Sequence, residues 1–191
     1  MQCDFAVELG CDDEALEFPW SSEDGDVRYY DLKRHPELVA QVEEARRVPQ
    51  LGGFLSALNS PSCILETAKC DCWASTKINP EEEIFGAKHK FGSYVDLLFS
   101  DPQSQRSFSA HEQLAKQLVA LLQSVPEIPV SAEFTIRRCY YHDEHGHRDG
   151  FYITFYLFGF SENEARAREQ WAIGLNLAQD AIGQLSADWS I

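Results

Sequence analysis

The chain opens on a regular alternation of hydrophobic and polar residues. Hydrophobic side chains take every second position from Cys3 to Leu9, which predicts a strand with one buried face. Two short helices are predicted next, because hydrophobic residues recur at helical spacing after Pro36 and again around Leu51 and Phe54. The first part of the chain is therefore expected to form one strand and two helices.

The remainder alternates between pairs of strands and single helices. Ser109 with Glu112, and Ser161 with Glu164, match the capping box that begins a helix. The second of these boxes is expected to begin a long C-terminal helix that ends near Ala187. Alternating or β-rich stretches predict four more strands, at about 63–75, 91–99, 132–142 and 151–160.

This order of elements predicts the α+β class. Strands joined in pairs favour a mainly antiparallel sheet, with the helices packed on one face. The preferred topology is a ferredoxin-like sheet with an added strand and a long C-terminal helix, and the alternative is a helix-grip arrangement. A length of 191 residues is expected to form a single domain over residues 1–191.

The net charge of the chain limits the classes of molecule that it is expected to bind. The chain has 31 acidic and 16 basic residues, a formal net charge of −15 at pH 7. Nucleic acids and anionic membranes both require a basic surface, so neither is expected as a partner. Solubility is the simplest role of the acidity, and an acidic face for a basic protein or for divalent cations is the more specific one.

Two absences bear on the compartment. No hydrophobic run approaches the ~20 residues that span a bilayer. The first residues also lack the basic start and hydrophobic stretch of a signal peptide. We therefore expect a cytoplasmic protein whose six cysteines are reduced thiols.

Strand parity defines the candidate site. In the strand at 63–75, the small residues Ala68, Cys70, Cys72 and Ala74 alternate with larger ones and are expected to face the helices. The opposite face then carries aromatic side chains among charges of both signs. Its candidate ligand-binding or interface residues are Lys69, Asp71, Trp73, Tyr94, Asp96, Arg137 and Tyr141. One of Arg137 and Arg138 is expected to be buried and paired with a carboxylate such as Asp71 or Asp96.

Three interpretations of this face remain open: a solvated sheet face, a contact between copies of the chain, and a ligand site. The favoured hypothesis is a ligand- or partner-binding protein that uses this face and forms a homo-oligomer. One alternative is an enzyme with an acid–base site on the same face, with or without a metal. Another is an acidic antagonist of a basic protein. The sequence assigns no catalytic residue.

No cofactor or metal is expected. The chain contains no P-loop and none of the dinucleotide-binding, hydrolase or zinc-protease motifs. His142, His145 and His147 are the metal-ligand candidates, yet they match no compact zinc signature and lie in a predicted polar loop. Cys70 and Cys72, with Cys139 nearby, are interpreted as buried free thiols rather than as metal ligands.

Overall fold

A computed structural model of the chain describes residues 1–21, 25, 28–143 and 146–189. These residues form six strands, five α-helices and two short 3₁₀ helices over Pro36–Gln41 and Pro80–Phe85. The strands are β1 (Gln2–Glu8), β2 (Ala15–Phe18), β3 (Leu65–Ser75), β4 (His89–Phe99), β5 (Val130–Asp143) and β6 (Gly146–Ser161). The helices are α1 (Glu43–Arg47), α2 (Pro49–Leu58), α3 (Pro102–Gln105), α4 (Phe108–Gln123) and α5 (Glu164–Asp188).

The six strands form one mixed, mostly antiparallel sheet, so the α+β class is confirmed. Its order is β1-β5-β6-β4-β3, and β2 also pairs with β5. The pairs β5–β6, β6–β4 and β4–β3 are antiparallel, whereas β1 and β2 run parallel to successive halves of β5. The ferredoxin-like topology is not confirmed. The alternative, a helix-grip arrangement, shares with this fold the long C-terminal helix packed on the sheet.

The helices cover one face of the sheet, and the main hydrophobic core lies between the two layers. Trp171 of α5 is fully buried there, and its indole N–H donates to the Ser93 hydroxyl at 2.8 Å. Gly159 of β6 allows this close packing, because a Cβ at that position would lie 2.2 Å from the Trp171 backbone nitrogen. The long C-terminal helix is therefore an integral part of the core.

Two predicted helix starts are wrong by two residues. Ser107, not Ser109, caps α4, and its hydroxyl accepts from the Ala110 N–H. Asn163, not Ser161, caps α5, because β6 continues through Ser161. The Ser-x-x-Glu pattern is short, and nearby residues with side-chain oxygens compete for the same role.

The face opposite the helices is covered at both of its ends. At one end a second hydrophobic cluster, formed by Leu16, Leu98, Cys139, Tyr141 and Tyr152, packs under Phe18 and Trp20. At the other end the 3₁₀ helix over Pro80–Phe85 stacks Phe85 on Phe160 at a ring-centroid distance of 4.3 Å. The central part of this face, here called the open face, lies between these covers.

None of the helices in the described ranges is both long and apolar enough to cross a membrane.

Candidate functional site

The structure places the candidate residues on the face opposite the helices. Asp71 and Trp73 in β3 share this face with Tyr94 and Asp96 in β4, because the register sets Asp71 against Tyr94 and Trp73 against Gly92. In β5 the same parity holds for Arg137 and Tyr141. The shared orientation does not put them all in one site, and their surroundings differ.

One residue of β3 departs from the predicted parity. The register shifts between Thr67 and Cys70, as one extra residue in β3 produces a β-bulge. Ala68, expected to face the helices, instead packs against the second hydrophobic cluster. Lys69 lies beside it, with its ammonium 5.2 Å from the Trp20 ring centre.

A row of aromatic and acidic residues crosses the open face. The register sets Asp4 opposite Glu133, Glu133 opposite Tyr156, Tyr156 opposite Tyr94, and Tyr94 opposite Asp71. The two tyrosines are half-buried, with ring centres 6.2 Å apart. Adjacent strands lie ~4.8 Å apart, so the row places two phenol rings between carboxylates on either side.

Trp73 and Phe158 extend this aromatic surface in the next row. Their rings meet edge to face at 6.0 Å above Gly92. A Cβ at Gly92 would lie 2.7 Å from the Phe158 ring and 3.1 Å from the Trp73 ring. Glycine is therefore what lets these two rings approach each other across β4.

Arg137 is buried, as expected for one of the two consecutive arginines, but its partners are different. It is 9% exposed, and its Nη2 lies 2.7 Å from the carboxylate of Glu8. Its Nη1 lies 3.5 Å from Glu14 and donates to Thr154 Oγ1 at 3.1 Å. The predicted pairing with Asp71 or Asp96 is wrong, because β1 pairs with β5 and sets Glu8 directly opposite Arg137.

Asp96 is the least compensated charged group in this network. The residue is only 4% exposed, and its carboxylate accepts one hydrogen bond, from Thr154 Oγ1 at 2.8 Å. Burial raises the pKa of this carboxyl from 3.8 to about 7, although the Thr154 hydrogen bond and the charges of Lys69 and Arg137 oppose the rise. Asp96 is therefore a buried carboxyl that changes its charge near neutral pH.

Tyr141 lies outside this network. It is buried in the second hydrophobic cluster, and its hydroxyl donates to the Phe151 carbonyl at 2.8 Å. Asp71 is half exposed and has Arg47 Nη2 at 3.5 Å, a surface ion pair of small energetic weight. The structure thus brings Tyr94, Asp96 and Arg137 close together and leaves Tyr141 in a structural role.

A cleft lies beside the open face, along the free edge of β3. Its volume is about 520 Å³. Lys69, Asp71 and Tyr94 line it together with side chains from α1 and from the segment after β2. Two of the candidate residues therefore belong to the open face and the cleft at once: Asp71 and Tyr94.

The three candidate histidines do not come together as a metal site in the described part of the chain. β6 begins at Gly146, earlier than predicted, so His147 lies on it opposite His142 of β5, with ring centres 6.0 Å apart. The His142 Nε2 is paired with the Glu17 carboxylate. His145 lies outside the described residues. Within those residues, no cluster of three or more potential metal ligands is present.

The cysteines are unpaired in the structure. Cys72 and Cys139 are buried and Cys70 is half-buried, while Cys11 is exposed. Burial raises the pKa of the Cys139 thiol to about 12, which removes its reactivity at neutral pH. The buried thiols behave as small hydrophobic side chains.

Sequence reasoning missed two residues of the network: Glu8 and Glu14. The alternation in β1 places Glu8 on the face away from the core, but nothing in the sequence pairs that strand with β5. Glu14 lies in the short segment between β1 and β2, and β2 was not predicted. The geometry of these residues depends on long-range pairing.

The chain has no match among models of known protein families, among curated proteins or among solved structures.

Proposed function

We propose that this protein is a binding protein whose open face takes a basic segment of a protein partner. One observation carries the proposal: the row in which Tyr156 and Tyr94 lie between Glu133 on one side and Asp71 on the other. Aromatic faces attract ammonium and guanidinium groups, with a gain of about 0.5–1 kcal/mol at exposed sites. Carboxylates at both ends of the row add long-range attraction for the same groups.

The balance of charge on this face supports a cationic partner. Of the cations that the structure describes around this face, Arg137 is paired with Glu8 and Lys90 is held by Glu82 at 2.7 Å. Arg47 lies 3.5 Å from Asp71, and Lys69 lies against the Trp20 ring. Glu133 and Asp4, by contrast, are exposed and have no ion-pair partner among the described residues. The open face therefore presents more carboxylate charge than it neutralises, in line with the formal net charge of −15.

The same charges argue against self-association through this face. Two copies that meet through one shared patch would place equivalent surfaces together around a two-fold axis. The Glu133 and Asp71 carboxylates would then approach the acidic row of the other copy, and like charges across an interface cost affinity. The homo-oligomer expected from the sequence stays a prediction, and a basic segment is the better occupant of the open face.

Binding of a short peptide of alternating lysine and glycine tests the proposal. We expect measurable binding by calorimetry, weaker at about 200 mM salt than at about 50 mM because screening reduces the attraction. The double substitution Asp71→Asn with Glu133→Gln is expected to lower affinity by about tenfold, and Tyr94→Ala with Tyr156→Ala by a similar factor. Phenylalanine at both tyrosine positions keeps the aromatic faces and should retain binding.

A charge-matched control separates a defined site from general acidity. Glu112→Gln with Glu169→Gln removes the same charge from helices α4 and α5, on the other side of the sheet. This variant should bind the lysine peptide as the wild type does. Equal losses in the two charge variants, or no binding by the wild type, would refute the proposal.

An enzyme is the second candidate, and Asp96 is the observation that favours it. A carboxyl with a pKa near the working pH is suited to general acid–base catalysis. Against this role, Asp96 is only 4% exposed. A reaction in a substrate screen that is abolished by Asp96→Asn and retained by Asp71→Asn would favour the enzyme over the binding protein.

A further inference from the structure

The free edge of β3 is capped by side chains instead of a neighbouring strand. β3 is the last strand of the sheet in the described ranges, so no strand there pairs with its outward backbone groups. Lys33 Nζ donates to the carbonyls of Cys63 and Leu65 at 2.6 and 2.7 Å. Three further side chains continue the series: Asn59 accepts from the Thr67 N–H, Trp20 donates to the Ala68 carbonyl, and Arg47 donates to the Cys72 carbonyl. Such caps block pairing with another chain along most of this edge.

Cys70 interrupts the series of caps. In an antiparallel ladder, alternate residues direct both their N–H and their C=O away from the partner strand. Arg47 reaches the Cys72 carbonyl from outside the sheet, so Cys72 is an outward residue, and Cys70, two positions earlier, is another. Within the part of the chain that the structure describes, neither backbone group of Cys70 has a hydrogen-bond partner outside β4.

This outward position lies in the cleft of about 520 Å³ at the edge of β3. Leu55 and Val42 give the cleft an apolar wall. Glu44, which is half-buried, lines the cleft from α1, and Lys69 lines it from β3, where its ammonium lies against Trp20. The cleft thus combines the outward N–H and C=O of Cys70, an apolar wall and charges of opposite sign.

We infer that the cleft binds a short peptide with free termini. One residue of the peptide exchanges both backbone hydrogen bonds with Cys70, as a residue of an added strand does. The amino-terminal ammonium group of the peptide is directed to Glu44, and its carboxyl-terminal carboxylate to Lys69. An apolar side chain of the peptide contacts Leu55. The volume falls in the range of about 300–1,000 Å³ that is typical of small-ligand sites.

A short ligand fits this edge better than a strand of a second copy. Trp20 caps the edge two residues before Cys70, and Arg47 caps it two residues after. Pairing of two β3 strands would require a longer run of free backbone groups than the caps leave open. The inference depends on the backbone groups of Cys70 and not on the row of the open face, although Asp71 and Tyr94 border both.

Titration of the tripeptide Ala-Leu-Ala into ¹⁵N-labelled full-length protein tests the inference. We expect the Cys70 amide resonance to shift and its hydrogen exchange to slow as the peptide binds. Methylation of the leucine nitrogen removes the donor to the Cys70 carbonyl, and acetylation of the amino terminus removes the charge that meets Glu44. Each modification is expected to lower affinity by about tenfold.

Protein variants give an independent readout. Glu44→Gln and Lys69→Gln should each weaken binding of Ala-Leu-Ala, whereas Glu112→Gln and Lys116→Gln, which alter an ion pair on α4, should leave it unchanged. The inference is overturned if the Cys70 amide does not respond to the peptide, or if the N-methylated peptide binds as well. A Cys70 shift that follows protein concentration instead of peptide would identify a second copy as the occupant and would also overturn it.

Discussion

Replacement of Asp96 by asparagine should stabilise the protein above about pH 4, by an amount that grows as the pH rises. The folded state raises the pKa of this carboxyl to about 7, against 3.8 as the ordinary value. The folded protein therefore holds a proton that the unfolded chain has lost between these two pH values, and wild-type stability falls as the pH rises through that window. At about 1.36 kcal/mol per pH unit, the full penalty reaches about 4 kcal/mol above pH 8.

Asparagine removes this penalty with little change in shape. Its side-chain oxygen can still accept the hydrogen bond from Thr154 Oγ1. Below about pH 4 the wild-type carboxyl is neutral in both states, so variant and wild type should have similar stability. The free energy of unfolding of the variant should then exceed that of the wild type increasingly as the pH rises.

Urea denaturation followed by circular dichroism at about pH 4, 6 and 8.5 measures this difference. Urea is preferred because guanidinium would screen the charges. Asp71→Asn is the matched control: this carboxyl on the same face is half exposed, and its removal should change stability by at most about 1 kcal/mol. If Asp96→Asn is no more stable than the wild type at high pH, or if the difference does not grow with pH, the argument from burial is wrong.

Three further predictions follow from the packing. Gly159→Ala should destabilise the protein by about 3 kcal/mol or more in thermal unfolding, because the new Cβ would strike the Trp171 backbone. Gly53 is a helix position where a new Cβ would meet nothing within 4 Å, so Gly53→Ala should instead stabilise the protein by up to about 1 kcal/mol. Burial lowers the pKa of His111 to about 4, so the wild type loses stability as the pH falls from 6.5 towards 4, and His111→Leu should reduce that loss by about 2–3 kcal/mol in urea denaturation. Thiol titration of the native protein should show one fast-reacting cysteine, Cys11, and the buried thiols should react only on unfolding.

Local sequence patterns predicted most of the elements and the composition of the open face. Alternation over Cys3–Leu9 corresponds to β1, and helical spacing around Trp171 corresponds to α5. Such patterns are reliable because each records which side of one element is buried, a property of neighbouring residues. The same parity placed Tyr94 and Asp96 on the face away from the helices.

The tertiary structure alone decided which of these residues act together. Arg137 and Glu8 are 129 residues apart, and they form an ion pair only because β1 joins β5 in parallel register. The one extra residue in β3 between Thr67 and Cys70 turned Ala68 away from the helices and towards the second hydrophobic cluster, and nothing in the local pattern signals such a bulge. Strand pairing and register depend on contacts distant in sequence, so hydrophobic periodicity determines the faces of the elements and leaves their neighbours undetermined.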